Sequence, residues 1–375
     1  MSIKTLSKKM LAIVAAGAMT MGLAMPTSVF AADEGTTTKV TEAYISKTFN
    51  TEVGKDEAFS FTATQVAGST ANVTIPNITF ADTETGSKTK RVKVTFPEEW
   101  PDAGKYEYTV KETGATPAIT DEKHQKMIMS QAEYTMDVYV SNVGNKLEIS
   151  NIIVNKTKDD KGTAATGKVD ISNTDKNGFN FTNTYVQEAG TGTDPVNPGP
   201  DYTTYGSLDV SKIIKTDAAD TADTNKEFEF TADFTFPNGT DGTTLGAKAT
   251  IGDSTTSITG TSHTFKLKHG QNVKFTGLPV GTKISVTESA TPNYKGSAEV
   301  VINNETKQAV AETKYNEALT VSDKTLGQNK NTVDVTNTYN YVPATGIIMN
   351  TLPYVLMIAL CGAALFGFVA FKRRR

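Results

Sequence analysis

Six polar residues stand where a β-strand would bury them, and their types suit one reaction. Side chains two apart on a strand share a face. Lys47 therefore shares a face with Ala43, Ile45 and Phe49, and Lys212 with Leu208, Val210 and Ile214. Glu112 follows Tyr106, Tyr108 and Val110, and Glu288 follows Ile284 and Val286. Asn183 shares its face with Phe179, Phe181 and Tyr185, and Asn337 with Val333, Val335 and Tyr339. Lys215, by contrast, falls on the other face of its strand and reads as surface. Burying such groups is costly unless they are satisfied, and burial favours the neutral amine and the neutral acid. A neutral amine is a nucleophile, and a protonated carboxyl polarises a carboxamide. Held together in a dry pocket, amine and carboxamide gain effective concentration. The product is a Lys–Asn amide with loss of ammonia, the Glu shuttling protons. The same burial also fits an uncrosslinked ion pair beside a capped Asn.

The elements that carry these residues repeat. The chain has 375 residues and is rich in period-two alternation, as in YTMDVYV and KLEISNIIV around an NVGN turn. VKVTF, YEYTVKE, FNFTNTY, FEFTADF, TFKLK, VKFTG and KISVTE read the same way. Short strands between Gly, Asn and Pro turns predict an all-β protein of sandwich type. A Gly/Pro-rich stretch at 187–204 carries no evident core residues and predicts a stiff, extended connection. It separates a domain at 36–186 from one at 205–341. Each half opens on a Lys-bearing strand and continues with Phe-x-Phe, Phe59/Phe61 or Phe228/Phe230. Each then runs through a Pro-Gly turn into a strand ending in Glu and closes on TNTY. A shared order of this kind indicates an internal repeat.

The order Lys-strand, Glu-strand, Asn-strand resembles the intramolecular isopeptide domains of Gram-positive major pilins and of collagen-adhesin B-type modules. The FTNTY and VTNTY closing strands are the most specific part. The resemblance spans both halves and implies two tandem immunoglobulin-like β-sandwiches. It also implies the triads Lys47–Glu112–Asn183 and Lys212–Glu288–Asn337, with Lys39 and Lys55 as near alternatives to Lys47.

Both ends read as processing signals. Residues 1–31 have a basic start at Lys4, Lys8 and Lys9, then an apolar run and Val29-Phe30-Ala31, the pattern of a secretory signal peptide cleaved after Ala31. Residues 352–371 are uncharged and mostly apolar, long enough for one membrane span, and Lys372-Arg373-Arg374-Arg375 follows at once. Just before that stretch stands Val342-Pro343-Ala344-Thr345-Gly346. It resembles the LPxTG motif of sortase substrates, with Val in place of the first Leu. The resemblance implies cleavage between Thr345 and Gly346 and transfer of the Thr345 carbonyl to an amine. Residues 342–375 would then form a sorting signal that meets the membrane only before sorting.

In this family the amine belongs to peptidoglycan or to a Lys of the next copy. A Lys acceptor implies the structural shaft subunit of a pilus, the reading favoured here, and peptidoglycan a wall-anchored basal pilin or monomeric surface adhesin. The implied partners are a pilin-class sortase, further copies head to tail, minor pilins and the wall, at the cell surface. Lys156, Lys161, Lys168 and Lys176 are candidate acceptors in the first half, with Lys330 the counterpart of Lys176 in the second. The closing strand runs from Lys176 toward the linker, roughly 25 Å at a strand's rise per residue. That puts Lys176 at the free end and makes it the first choice, with Lys156 the alternative.

The single cysteine, Cys361, lies in the apolar tail, so the exported part would have no thiol, disulfide or cysteine metal site. His124, His263 and His269 have neither metal-ligand spacing nor evident partners. DAADTADTNKE at 217–227 reads as a turn rather than a calcium loop. A net charge of −4 spread along the chain gives nucleic acid no basic stripe. No phosphate loop or hydrolytic triad stands out, so the chain reads as a sortase substrate rather than an enzyme, with no cofactor called for.

Overall fold

The computed structural model describes residues 39–216 and 222–340. The signal peptide predicted at 1–31, the VPATG motif, the apolar tail and the start of the DAADTADTNKE segment lie outside the described residues. No helix among the described residues is long and apolar enough to cross a membrane.

Alternating burial drives the strands. The first half contains β1 (Tyr44–Thr51), β2 (Glu57–Ala67), β3 (Ile78–Phe80), β4 (Gly86–Lys93) and β5 (Gly104–Thr116). It continues with β6 (Gln125–Ile128), β7 (Glu133–Val143), β8 (Lys146–Lys158), β9 (Ala164–Val169) and β10 (Gly178–Gln187). They form a four-stranded sheet, β4-β1-β10-β6, and a six-stranded sheet, β3-β2-β5-β7-β8-β9. The sheets meet through aromatic side chains: Phe61 lies 5.2 Å from Phe181 and Tyr134 5.4 Å from Phe179, centroid to centroid. In β7, Tyr134, Met136, Val138 and Val140 all turn inward, as its alternation requires.

After a short helix α1 (Pro200–Tyr205), the second half begins with β11 (Leu208–Thr216) and β12 (Phe228–Thr235). Next come β13 (Lys248–Ile251), β14 (Ser254–Ser257), β15 (Ser262–Leu267), β16 (Asn272–Thr276) and β17 (Lys283–Glu288). The last are β18 (Tyr294–Val301), β19 (Gln308–Val310), β20 (Leu319–Thr325) and β21 (Thr332–Tyr339). A seven-stranded sheet, β14-β13-β16-β11-β21-β18-β19, faces a four-stranded one, β15-β12-β17-β20. Phe228 against Tyr294 and Phe234 against Phe275 close the space between them.

In both halves the first and last strands are neighbours and run parallel, β1 beside β10 and β11 beside β21. Parallel neighbours cannot be joined by a tight turn, so the rest of each half forms the long crossover between them.

The connection differs from the expectation of an extended spacer. Residues 187–191 are buried, Ala189 completely, and Glu188 bridges to Pro279 of the second half. Ala189 N donates to Leu278 O and Val280 N to Gln187 O. Composition predicts solvent exposure for such a stretch, but these backbone groups find sheet-like partners at the junction. Gly190 (φ 81°) permits the turn, and a Cβ there would strike the Gly206 carbonyl.

Candidate functional site

Register sets lysine beside asparagine, by the same offset in both halves. Lys47 lies opposite Phe181, two residues before Asn183, and Lys212 lies opposite Val335, two before Asn337. An offset of two keeps both side chains on one face. The glutamate arrives from the facing sheet, on β5 or β17. There Glu112 sits opposite Phe61 and Glu288 opposite Phe230, the second Phe of each Phe-x-Phe. The first Phe covers the amine: Lys47 Nζ is 4.2 Å from the Phe59 ring centroid and Lys212 Nζ 4.1 Å from that of Phe228.

Each glutamate joins the other two residues. Lys47 Nζ donates to the two Glu112 oxygens at 2.9 and 2.8 Å, and Asn183 Nδ2 donates to Glu112 Oε1 at 2.8 Å. In the second half Lys212 Nζ and Asn337 Nδ2 both donate to Glu288 Oε1, at 2.7 and 2.6 Å. The Lys47 and Glu112 side chains are 0% exposed, and those of Lys212 and Glu288 are 0% and 3% exposed. Burial pushes both lysines down to about 8, against the opposing pull of their glutamates. Burial likewise raises Glu112 and Glu288 above the usual carboxylate range, against the lysines. Both shifts favour the neutral amine and neutral acid that amide formation needs.

All six residues picked out by strand parity thus meet in two clusters of three. The alternatives to Lys47 do not join them. Lys55 Nζ faces Glu57 at 3.4 Å, and Lys39 offers its carbonyl to Asn173. Among the candidate acceptors, Lys161, Lys168 and Lys176 are exposed, whereas Lys156 is half-buried with Nζ 5.6 Å from the Tyr134 ring. Lys330 Nζ lies 4.0 Å from the Tyr205 ring, on the side facing the connection.

Two features lay beyond strand parity. First, the clusters differ at the carboxamide oxygen. Asn183 Oδ1 accepts the Ser130 backbone N–H at 2.7 Å, while Asn337 Oδ1 is buried with no hydrogen-bond partner among the described residues. Second, His124 has a partner after all. Its Nδ1 lies 2.6 Å from Glu188 Oε2 at the buried junction, where Glu188 Oε1 accepts from Tyr202, Ser207 and the Gly277 N–H. His and Glu are 64 residues apart, so no local spacing signals the pair. His269 accepts from Ile214 N, and His263 stacks on Phe265. Among the described residues no group of three or more His, Cys, Asp or Glu is placed to hold a metal.

Residues 43–186 match a family model described as the Spy0128-like isopeptide containing domain. Residues 206–339 match a family described as a domain of unknown function (DUF7601). A search of curated proteins gave no match. Among solved structures, the chain is similar to the major pilin protein T3.2 from Streptococcus pyogenes, at 20% identity over 80% of this chain and 99% of that one, TM-score 0.33. It is also similar to a second Streptococcus pyogenes major pilin, at 18% identity over 81% and 100%, TM-score 0.32. The pilus-presented adhesin Spy0125 (Cpa) aligns at 10% identity over 80% and 100%, TM-score 0.27.

Proposed function

We propose that this chain, whose residues 43–186 match the Spy0128-like isopeptide containing domain, is the shaft subunit of a covalent Gram-positive pilus. Two immunoglobulin-like, collagen-adhesin-B-type sandwiches form its body. Each is closed by a self-formed amide, Lys47 to Asn183 and Lys212 to Asn337, with Glu112 and Glu288 moving the protons. The observation that carries this reading is the repeated cluster: twice, a buried amine and carboxamide share one glutamate and bridge a first and a last strand. For the second half, matched only to a domain of unknown function, the geometry is the whole support.

A sortase would cleave between Thr345 and Gly346 and pass the Thr345 carbonyl to Lys176 of another copy. Several features of Lys176 support that role. It is exposed and holds a left-handed backbone (φ 50°) in the turn just before β10. The turn is held by Ser172 Oγ, which accepts from Thr174 N and Asp175 N, and by Asn177, which accepts from Ser172 N. Asn173 ties it to residues 39–42. A nucleophile presented on a pinned turn loses little entropy on docking. The β10 strand then carries the chain from Lys176 to the buried junction.

The test is an immunoblot of surface extracts together with intact mass. A high-mass ladder is expected, each unit lighter than its sequence by one ammonia per amide. Lys176→Ala should collapse the ladder and leave the ammonia loss intact. A single band from the native chain would make it a wall-linked monomer and overturn the shaft role.

A further inference from the structure

The two clusters share a glutamate and a lysine but treat the carboxamide oxygen differently. In the first, a backbone N–H can meet only an acceptor, so the Ser130 contact at 2.7 Å fixes Asn183 with Oδ1 toward Ser130 and Nδ2 toward Glu112. Asp160 holds that donor in place. Its Oδ1 accepts from Ser130 Oγ at 2.5 Å and from Thr182 N, the residue before Asn183, at 2.9 Å. Its carbonyl accepts from Gln131 N at 3.0 Å. One side chain thus sets both the donor and the strand carrying the acceptor. In the second cluster Asn337 Oδ1 has no partner among the described residues, and a Cβ on its neighbour Gly296 would lie 3.2 Å from it.

We propose that the Ser130 N–H is the oxyanion donor for amide formation at Asn183, with Asp160 as its positioning residue. The proposal rests on the isopeptide reading above. The Lys47 Nζ lone pair forms a bond to Asn183 Cγ, and the carbonyl π pair moves onto Oδ1, at the end of the Ser130 N–H. Protonated Glu112 gives its proton to Nδ2 and takes one from Nζ. The Cγ–Nδ2 bond breaks, ammonia leaves, and the oxyanion pair restores the carbonyl. Labour is divided: the backbone takes the oxygen and Glu112 the leaving nitrogen. Among the described residues no such donor reaches Asn337 Oδ1, so Glu288 acts alone and the second amide forms more slowly. Preorganised donors aimed at developing charge are among the largest catalytic contributions.

The full chain is made by cell-free synthesis, sampled over time, denatured and digested. The Lys47–Asn183 and Lys212–Asn337 cross-linked peptides are then followed separately, the second serving as internal control. In the native chain the first peptide should appear before the second. Ser130→Pro, which removes the N–H, should slow the first link by about a hundredfold and leave the second unchanged. Should Ser130→Pro fail to fold, judged by protease resistance, a second pair decides. Asp160→Ala should slow the first link by about tenfold, and Asp160→Asn, whose carbonyl can accept both hydrogen bonds, should restore it. A folded Ser130→Pro chain that links at the native rate overturns the proposal, as does Asp160→Asn proving no faster than Asp160→Ala. A native chain that forms neither link overturns the isopeptide reading itself.

Discussion

Asn337→Ala would separate the second covalent bond proposed above from the contacts around it. The substitution removes the electrophile but leaves Lys212 and Glu288 hydrogen-bonded at 2.7 Å. An amide between Lys212 and Asn337 closes a loop of more than a hundred residues, which by the chain-entropy argument used for disulfides contributes about 5 kcal/mol. Against that, alanine removes a buried carbonyl oxygen that has no partner among the described residues. Relief of that group returns about 1–3 kcal/mol. The net loss is then about 2–4 kcal/mol, a large part of an ordinary domain's stability of about 5–15 kcal/mol. Without a bond, the variant would lose only one hydrogen bond, about 1 kcal/mol, and regain at least as much, leaving stability unchanged or raised by up to about 2 kcal/mol. Glu288→Ala goes further, because it also strands Lys212 in the core. Truncating one partner of a buried pair costs about 3–5 kcal/mol on top of the lost closure. Guanidinium unfolding of the full chain, with intact mass on the same samples, should rank native above Asn337→Ala above Glu288→Ala, both variants retaining one more ammonia. Equal stability of native and Asn337→Ala chains, with equal ammonia loss, would refute the covalent reasoning.

Three further outcomes follow from charge and burial. Amide formation needs the Lys–Glu pair to hold one proton between them, and the lysines sit at about 8, so its rate should fall as pH rises above that value; timed mass spectra from pH 6 to 10 check this. Asp209 is buried beside Asn272, with Asp334, Lys274 and Lys330 around it, and burial raises it to about 6. A carboxyl raised on folding binds its proton more tightly in the native state, so stability should fall as pH rises from about 4 to about 6 and stay lower above. Asp209→Asn should remove that slope and raise stability at pH 7 by up to about 3 kcal/mol, read from thermal melts across pH. Glu188→Ala leaves Tyr202, Ser207, His124 and the Gly277 N–H without their shared acceptor. Hydrogen exchange should then quicken at residues 200–207 and 277–280 but not in the strands carrying Lys47 or Lys212.

What the sequence revealed and what it hid divide along a physical line. Alternation reports which face a side chain takes, and Lys47, Glu112, Asn183, Lys212, Glu288 and Asn337 were legible because each interrupts an apolar face. Alternation says nothing of backbone donors, so the Ser130 N–H at Asn183 left no trace. Nor does it report pairing across a fold: His124 and Glu188 come from a loop and a Gly/Pro-rich connection that composition assigns to solvent. Asp209 escaped for a related reason. It lies on the face of β11 opposite Lys212 and is covered only because Asn272 and the neighbouring chain fold over it.

In the proposed shaft subunit the load path would give the two amides different work. With Lys176 as the entry point and Thr345 as the exit, tension crosses the first half along β10 alone, from its start to the junction. The Lys47–Asn183 bond then lies beside the path and anchors β10 to the sandwich without bearing the pull. In the second half, tension enters at β11 and leaves from β21, which lie parallel and adjacent. Pulling them shears the pair, and the Lys212–Asn337 bond short-circuits everything folded between. Losing it frees the chain from Lys212 to Asn337, on the order of 400 Å when extended. Single molecules held at Lys176 and at the C-terminal side should therefore show no such step in the native chain, one step in Asn337→Ala and none of comparable length in Asn183→Ala. A step of that length in Asn183→Ala would place the first bond on the load path and remove Lys176 as the point of entry.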